Sequence, residues 1–307
     1  MQFSALPIGL VAGVAAALLF AGVVTQSPGA VVLALAAPVP IFIASLGWGS
    51  RAGFIAAATA AIAIAAFTGA VLSGVTMLLG SALPAAAVGH MAGLARPRDD
   101  GAGLDWYPVS RLLFAILCIA AATCVVLGLL MSYDAAGLEA AVTQALLAQP
   151  DGTIAGEQEI RSFVQLVVSA IPFVQPIISV LTWIGCLYVA AAITRISGRL
   201  PRPKDDLPVA TTLPRVALPI FALGLAASFA PGIVGMLGAV LTGAFGMGFT
   251  LVGLAAMHRR TRGRPARGLV LFSAYGAIIL LFIPLFAFLV LGVFDTARNR
   301  MADASNT

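Results

Sequence analysis

Charge is what this 307-residue chain has least of. Only 9% of its residues are Asp, Glu, Lys or Arg, and residues 1–50, 52–95, 112–133, 162–194, 216–258 and 268–294 contain none, counting His as neutral. A soluble domain needs a far more charged surface, and apolar runs of about 18 residues or more are membrane-span signals. Soluble globular and disordered architectures are therefore excluded. Short alternating segments are also missing, which excludes a transmembrane β-barrel. Cysteine is scarce: Cys118, Cys124 and Cys186 all lie in apolar segments without a CxxC partner. That usage argues against a disulfide framework or a metal site and predicts small packed side chains.

Catalytic signatures are missing too. No Asp, Glu, Lys or Arg falls between the expected headgroup levels, and His90 and His258 stand at expected helix ends. Proton relays and ion-coupled carriers usually show such a residue at membrane depth. The sequence contains no HExxH, no G-x-S-x-G, no Cys/His ligand cluster and no Walker-type glycine loop with its lysine. An ATPase engine is excluded within the chain. No catalytic residue, metal or cofactor is expected. The formal charge of +5 comes from residues that flank apolar helices without an aromatic-basic module, so membrane lipids are expected partners and nucleic acid is not.

What is present is a series of apolar segments. A span needs about 20 residues, and the pattern predicts an all-α, polytopic helical bundle of about nine spans, with eight as the alternative. They fall at roughly 6–24, 29–46, 52–68, 70–91, 109–131, 162–194, 214–229, 233–257 and 268–292. Residues 1–307 are expected to form a single integral membrane domain. The lack of a basic n-region predicts that residues 6–24 stay as a span. Breaks are expected at Thr25–Gly29, near Gly69 and at Pro231-Gly232, with further irregularity at Pro38-Val39-Pro40 and Pro284.

Arginines set the orientation. Arg51 and loops 92–111, 195–215 and 258–267 carry the basic residues, so the positive-inside rule places them in the cytoplasm, with the acidic loop 134–161 outside. Abundant Ala and Arg beside a single lysine suit a GC-rich bacterium, and the expected location is the bacterial plasma (inner) membrane. Nine spans leave Arg298 and Arg300 on the wrong side, which a miscounted hairpin near either end repairs. The 162–194 segment would be about 50 Å long as one helix, longer than the hydrocarbon core. An interfacial first portion or a break at Pro172 or Pro176 would relieve that mismatch. Residues 135–149 place Leu138, Val142 and Ala145 or Leu146 at helical spacing. Asp134 is the expected N-cap and Pro150-Asp151-Gly152 the stop. The outer loop is thus expected to hold a short amphipathic helix, lying on headgroups or covering a cavity.

Polar side chains are densest in the 162–194 segment. Gln165, Ser169, Gln175 and Ser179 surround Pro172 and Pro176, and Ser228 lies near Pro231. A proline frees the carbonyl four residues earlier, so Val168 and Pro172 lose backbone partners. Glutamines beside freed carbonyls can form a neutral binding site of the broken-helix type, the alternative being helix–helix packing and kinks. Arg259, Arg260, Arg262, Arg264 and Arg267 form a basic patch that fixes topology and offers a surface to anionic lipid or a partner. His258 heads that patch as a C-terminal cap. The glycine pairs Gly9/Gly13, Gly49/Gly53, Gly89/Gly93 and Gly152/Gly156 occur about as often as chance allows and predict only close packing. The strip Leu200–Pro208 reads as a stiff extended connector.

Two stretches, Gly253-Leu254-Ala255-Ala256-Met257-His258 and Leu291-Gly292-Val293-Phe294-Asp295-Thr296-Ala297-Arg298, carry a resemblance. With the hydrophobic plan over roughly residues 5–298, the chain resembles the YybS-like family of bacterial membrane proteins, which has no assigned activity. That family is in turn distantly similar to the substrate-binding membrane subunits of energy-coupling-factor transporters, which have fewer spans. The resemblance implies a small-molecule-binding subunit that depends on separate ATPase and coupling subunits. A membrane scaffold or assembly protein bound to another membrane protein is the alternative, and a lipid-handling protein with a lateral opening ranks below both. Asp295 and Arg298 are expected to form an i,i+3 ion pair at the last helix end.

Overall fold

Long apolar runs in a bilayer satisfy their backbone only by coiling into helices, and glycine and proline decide where those helices stop. The computed structural model describes residues 5–22, 28–98, 103–147, 156–281 and 283–304. Helix α1 (Ala5–Ala21) is followed by α2 (Pro28–Leu35) and α3 (Pro38–Trp48), which together make one apolar passage broken before Pro38. Helix α4 (Ser50–Thr68) ends at Gly69, whose φ of +67° is the left-handed conformation that glycine adopts at least cost. The next passage contains α5 (Val71–Met77), a π-helical turn (Leu78–Ala82) and α6 (Leu83–Ala92). Pro84 supplies the cause: it cannot donate to Gly80, and the widened turn lets the Leu83 amide donate to the Leu78 carbonyl.

A two-stranded hairpin follows, β1 (Ala95–Pro97) against β2 (Leu104–Trp106), with Arg96 opposite Asp105. It is a small addition to the all-α expectation. Helix α7 (Val109–Leu130) leads to α8 (Ala135–Leu147) and then to α9 (Glu157–Ile196), 40 residues long. After the short α10 (Leu207–Ala210) come α11 (Ala217–Ala227), α12 (Gly232–Arg260), α13 (Arg267–Leu281) and α14 (Pro284–Ala304).

Among the described residues, six helical passages are long and apolar enough to cross a bilayer: Gly29–Trp48, Ser50–Thr68, Val71–Ala92, Val109–Leu130, Glu157–Ile196 and Gly232–Arg260. These six support a polytopic helical bundle, and the remaining segments of the nine or eight expected form shorter apolar helices. The described part of the segment expected at 6–24 contains the 17-residue α1, and that at 214–229 yields the 11-residue α11, only about 17 Å long. The segment expected at 268–292 is split before Pro284 into α13 and α14. The splits near Gly69 and at Pro231-Gly232 fall where expected. The expected turn at 25–27 and the stop at 150–152 lie outside the described residues.

Helix α14 runs in the same direction as α12. Leu289 lies beside Gly246 near its start, and Asp295 reaches Arg259 near its end. The last helix therefore returns to the arginine-rich end of α12, and Arg298 shares a face with loop 258–267. This removes the misfit that nine full spans create. Asp295 pairs with Arg259 at 2.5 Å and Arg260 at 3.5 Å, where the sequence pointed to Arg298.

Helix α9 stays helical through Pro172 and Pro176, so neither breaks it. Its excess length lies in the first turns, where α8 braces it: Leu138 and Leu146 pack against Ile160, Val164 and Val168. The amphipathic helix expected in this loop thus turns its apolar face to α9. Asp134 caps it, accepting from the amides of Ala136 at 3.1 Å and Gly137 at 3.0 Å. The Val168 carbonyl freed by Pro172 accepts a hydrogen bond from the Tyr133 hydroxyl at 3.4 Å.

Helix α12 is the hub. Its glycines let neighbours approach closely: Gly243 meets the Phe173 carbonyl of α9, Gly238 meets the backbone of Ala227 and Ser228 at the end of α11, and Gly248 receives the Leu117 side chain of α7. Between those contacts sit Phe245 and Phe249, both fully buried, with Phe114 and Phe221 against them edge-on at 5.8 Å and 5.4 Å. A second close-packed point joins α3, α4 and α6, where Gly53 and Gly89 both face Ser45.

Candidate functional site

Helices α7, α9 and α12 diverge toward the arginine-rich face and leave a cavity of about 660 Å³. That volume falls within the range of small-molecule sites, about 300–1,000 Å³. Its walls are aliphatic: Leu112, Leu113 and Ile116 from α7, Ile184, Leu187 and Ala191 from α9, and Leu251, Leu254 and Ala255 from α12. The segment from Leu200 to Thr211 folds back across the wide end and contributes Leu200, Leu207 and Pro208. The strip expected to be a plain connector is thus a wall of the cavity. Its apolar residues, set among charges, are the reason it turns inward.

Charge enters only at this wide end. Arg195 from the last turn of α9, and Arg202, Lys204 and Asp205 from the loop, line it together with His258 and Tyr275. Arg202 is buried and fully engaged. Its Nε donates to Asp205 at 2.8 Å, one Nη donates to the same carboxylate at 3.1 Å, and the other donates to the Ala92 carbonyl at 3.1 Å. That last bond serves a carbonyl orphaned at the end of α6 and ties the loop to the bundle. His258 and Tyr275 close another side, joined Nε2 to hydroxyl at 2.8 Å across α12 and α13.

The rim is open. Ile196, Tyr188 and Tyr275 line the cavity and are 88%, 60% and 42% exposed. Because α9 and α13 carry apolar residues on their outer faces, this gap between them opens sideways, toward where lipid lies.

None of the five polar residues singled out from the sequence lines this cavity. Gln165, Ser169 and Gln175 are on the exposed side of α9, while Ser179 and Ser228 are half-buried. The three hydroxyls bond within their own helices: Ser169 to Leu166, Ser179 to Gln175 and Ser228 to Leu225. Pro172 and Pro176 lie within α9, and Pro231 precedes the first turn of α12.

The five arginines of the basic patch divide in two. Arg259 and Arg260 pair with Asp295, and Arg259 also donates to the Pro208 carbonyl at 2.8 Å. Arg262 binds Asp206 through two hydrogen bonds of 2.7 Å and 2.5 Å. These three hold the loop and α14 to the end of α12. Arg264 and Arg267 have no ion pair among the described residues, and Arg264 is exposed.

Neighbouring faces add little chemistry. The hairpin presents Arg96 and Arg98 to Asp105 at 3.6 Å and 3.3 Å in the open. His90 meets the Ser50 hydroxyl at 2.6 Å, and Arg199 lies over the Trp48 ring at 4.5 Å. No family model matches the chain, and no curated protein and no solved structure matches it.

The cavity residues escaped the sequence reading for a definable reason. Charge is absent between the headgroup levels: Arg195 stands in the last turn of α9, and Arg202, Lys204 and Asp205 belong to the loop that follows it. The one available signal was the recurrence of Leu200, Leu207 and Pro208 inside a charged connector.

Proposed function

We propose that this helical membrane protein binds a small amphiphilic molecule that enters the α7–α9–α12 cavity sideways from the bilayer. The observation that carries the reading is a cavity of about 660 Å³ with largely apolar walls, a rim open between α9 and α13, and charged groups confined to one end. A ligand with an apolar body and a polar head fits that division, since burying its body gains about 25 cal/mol per Å² removed from water. This reading keeps small-molecule binding and moves it from the glutamine-rich part of α9 to the arginine-rich end.

In its fuller form the protein is the binding subunit of a transport complex, with separate ATPase and coupling subunits docked on the arginine-rich face. The chain itself has no nucleotide-binding loop, so that form requires them. Membership of the YybS-like family is a proposal of the same standing and rests on the two stretches at 253–258 and 291–298. These stretches lie on α12 and α14, which pack together through Gly253 and Gly292.

The test is to purify the protein in native lipid discs and identify retained small molecules and proteins by mass spectrometry. Ala191→Trp, which fills the cavity, is purified in parallel. A stoichiometric amphiphile in the wild type that is lost in the variant supports binding, and co-purified ATPase subunits support the transport form. Identical lipid profiles for the two proteins sink the cavity as a binding site.

A further inference from the structure

We propose that the ligand of this cavity is a single-chain amphiphile with an anionic head, a phosphate or a carboxylate, held between Arg195 and Lys204. The proposal rests on the cavity being a binding site and adds the chemistry of the ligand.

The argument is a balance of charge at the wide end. Four charged side chains line it: Arg195, Arg202, Lys204 and Asp205. Arg202 and Asp205 cancel through their two-point pair, and the third arm of Arg202 is on the Ala92 carbonyl. The carboxylate of Asp205 is therefore committed. Arg195 and Lys204 remain, with no ion pair among the described residues. Both project from the edge of an apolar cavity. Cations next to a low-dielectric wall lose part of their hydration, and an anion that pairs with them recovers that loss. A guanidinium and an ammonium together supply donors for an oxyanion, the guanidinium in a planar fork and the ammonium as a point charge. His258 and Tyr275, already bonded to each other, add polar atoms at the same end.

The rest of the cavity sets the tail. From Arg195 to Ile184 along α9 is about 16 Å at the helical rise, which gives the depth of the apolar part. Leu187, Ala191 and Leu254 line that depth with no charged group among them. The volume accommodates one hydrocarbon chain with a compact head. A two-chain phospholipid could insert one chain and leave the other in the bilayer through the open rim, so the shared chemistry is the anionic head on one inserted chain.

The experiment measures binding by the full chain in discs of zwitterionic phosphatidylcholine, with empty discs as the blank. The probes are dodecyl phosphate, dodecanol of the same chain length, and inorganic phosphate. Expected is dodecyl phosphate bound about tenfold more tightly than dodecanol, a factor that corresponds to about 1.4 kcal/mol. Arg195→Gln combined with Lys204→Gln removes that preference and leaves dodecanol binding unchanged. Lys204 is exposed and Arg195 half-buried, and neither has an ion pair among the described residues, so this variant is expected to keep the wild-type unfolding temperature. Competition by a phosphatidic acid added to the discs identifies a membrane lipid as the source, while failure to compete identifies a free single-chain ligand; each supports the anionic head. Equal affinity for dodecyl phosphate and dodecanol in the wild type overturns the anionic head and leaves the cavity reading intact. Binding of neither chain overturns both. Binding of inorganic phosphate as tight as that of dodecyl phosphate overturns the amphiphile and assigns Arg195 and Lys204 to a free anion.

Discussion

Gly253 of α12 and Gly292 of α14 stand face to face, each occupying the place where the other's backbone leaves no room for a side chain. A Cβ on Gly253 would collide with the Phe288 carbonyl, and one on Gly292 with the Phe249 carbonyl. The contact is reciprocal and backbone to backbone, so a single added methyl forces the helices apart. Overpacking of this kind costs about 1–3 kcal/mol. Gly253→Ala and Gly292→Ala should each lower the unfolding temperature in detergent. The double variant should cost less than the sum, because one widened crossing accommodates both methyls. Gly276 on α13 has open space around it and serves as the control. Gly276→Ala should be neutral or stabilising by up to about 1 kcal/mol, from helix propensity alone. Equal unfolding temperatures for Gly253→Ala and Gly276→Ala would show that the crossing is not tight.

The parallel course of α12 and α14 also fixes sidedness. Arg298 should share a face with Pro265 of the arginine-rich loop, and both should lie opposite Ala140 on α8. In a background with Cys118, Cys124 and Cys186 replaced by alanine, single cysteines at these three exposed positions can be probed with a membrane-impermeant thiol reagent. Arg298→Cys and Pro265→Cys are expected to label together from one side of the membrane, and Ala140→Cys from the other. The nine-span arrangement puts Arg298 with Ala140 instead. Labelling of those two from the same side would return the chain to that count.

Much of the bundle was legible because charge-free runs and their breaks are local properties of the sequence. Gly69 and Pro231-Gly232 act through their own backbone and Asp134 through its carboxylate on amides two and three residues on, and each is found where expected. The number of crossings was not legible in the same way. An apolar run tells a helix to leave water, but it does not say whether the helix crosses or turns back. Residues 268–292 carry no charge and are long enough, yet Pro284 and the pull of Arg259 on Asp295 return the chain to its starting face. The glycines show the same limit. Counting i,i+4 pairs finds Gly9 and Gly13, which do pack on α4, but misses Gly243, Gly248 and Gly253, whose partners come from three different helices. The cavity depends on residues far apart in the chain, and only Leu200 and Leu207, apolar residues within a charged loop, left a trace.

Arg202 should be the most sensitive residue of the loop. Its side chain is 8% exposed and bonds to Asp205 and the Ala92 carbonyl at once. Arg202→Met leaves a carboxylate beside an apolar wall and a carbonyl without its donor. Breaking a fully buried pair costs about 3–5 kcal/mol. Asp205 retains 33% exposure, so we expect about 2–3 kcal/mol here. Arg202→Lys keeps the charge but loses the planar fork, and should recover less than half of that loss. Combining Arg202→Met with Asp205→Leu should be milder than Arg202→Met alone, because no buried charge is left unpaired. Denaturant titration checks all three, and a wild-type midpoint for Arg202→Lys would reduce the site to simple charge balance.

The loop's second attachment should be insensitive to pH across the physiological range. Two hydrogen bonds from Arg262, its positive charge and the Val209 amide hold the Asp206 carboxyl below its ordinary value. A carboxylate lowered in the folded state contributes stability above its unfolded pKa of about 3.9, and that contribution is lost as pH falls through the folded value. The amides of Val209 and Ala210, which donate to the Asp206 carbonyl at 2.9 Å and 2.8 Å, report on this turn. Their hydrogen-exchange protection, corrected for intrinsic rates, should stay flat from about pH 5 to 8 and fall only below about pH 4. Asp206→Asn should lower protection at neutral pH and abolish the acid transition. A midpoint near pH 6 would assign release of the loop to a histidine, for which His258 at the cavity rim is the nearest candidate on α12, and the Asp206–Arg262 pair would then be incidental to holding it.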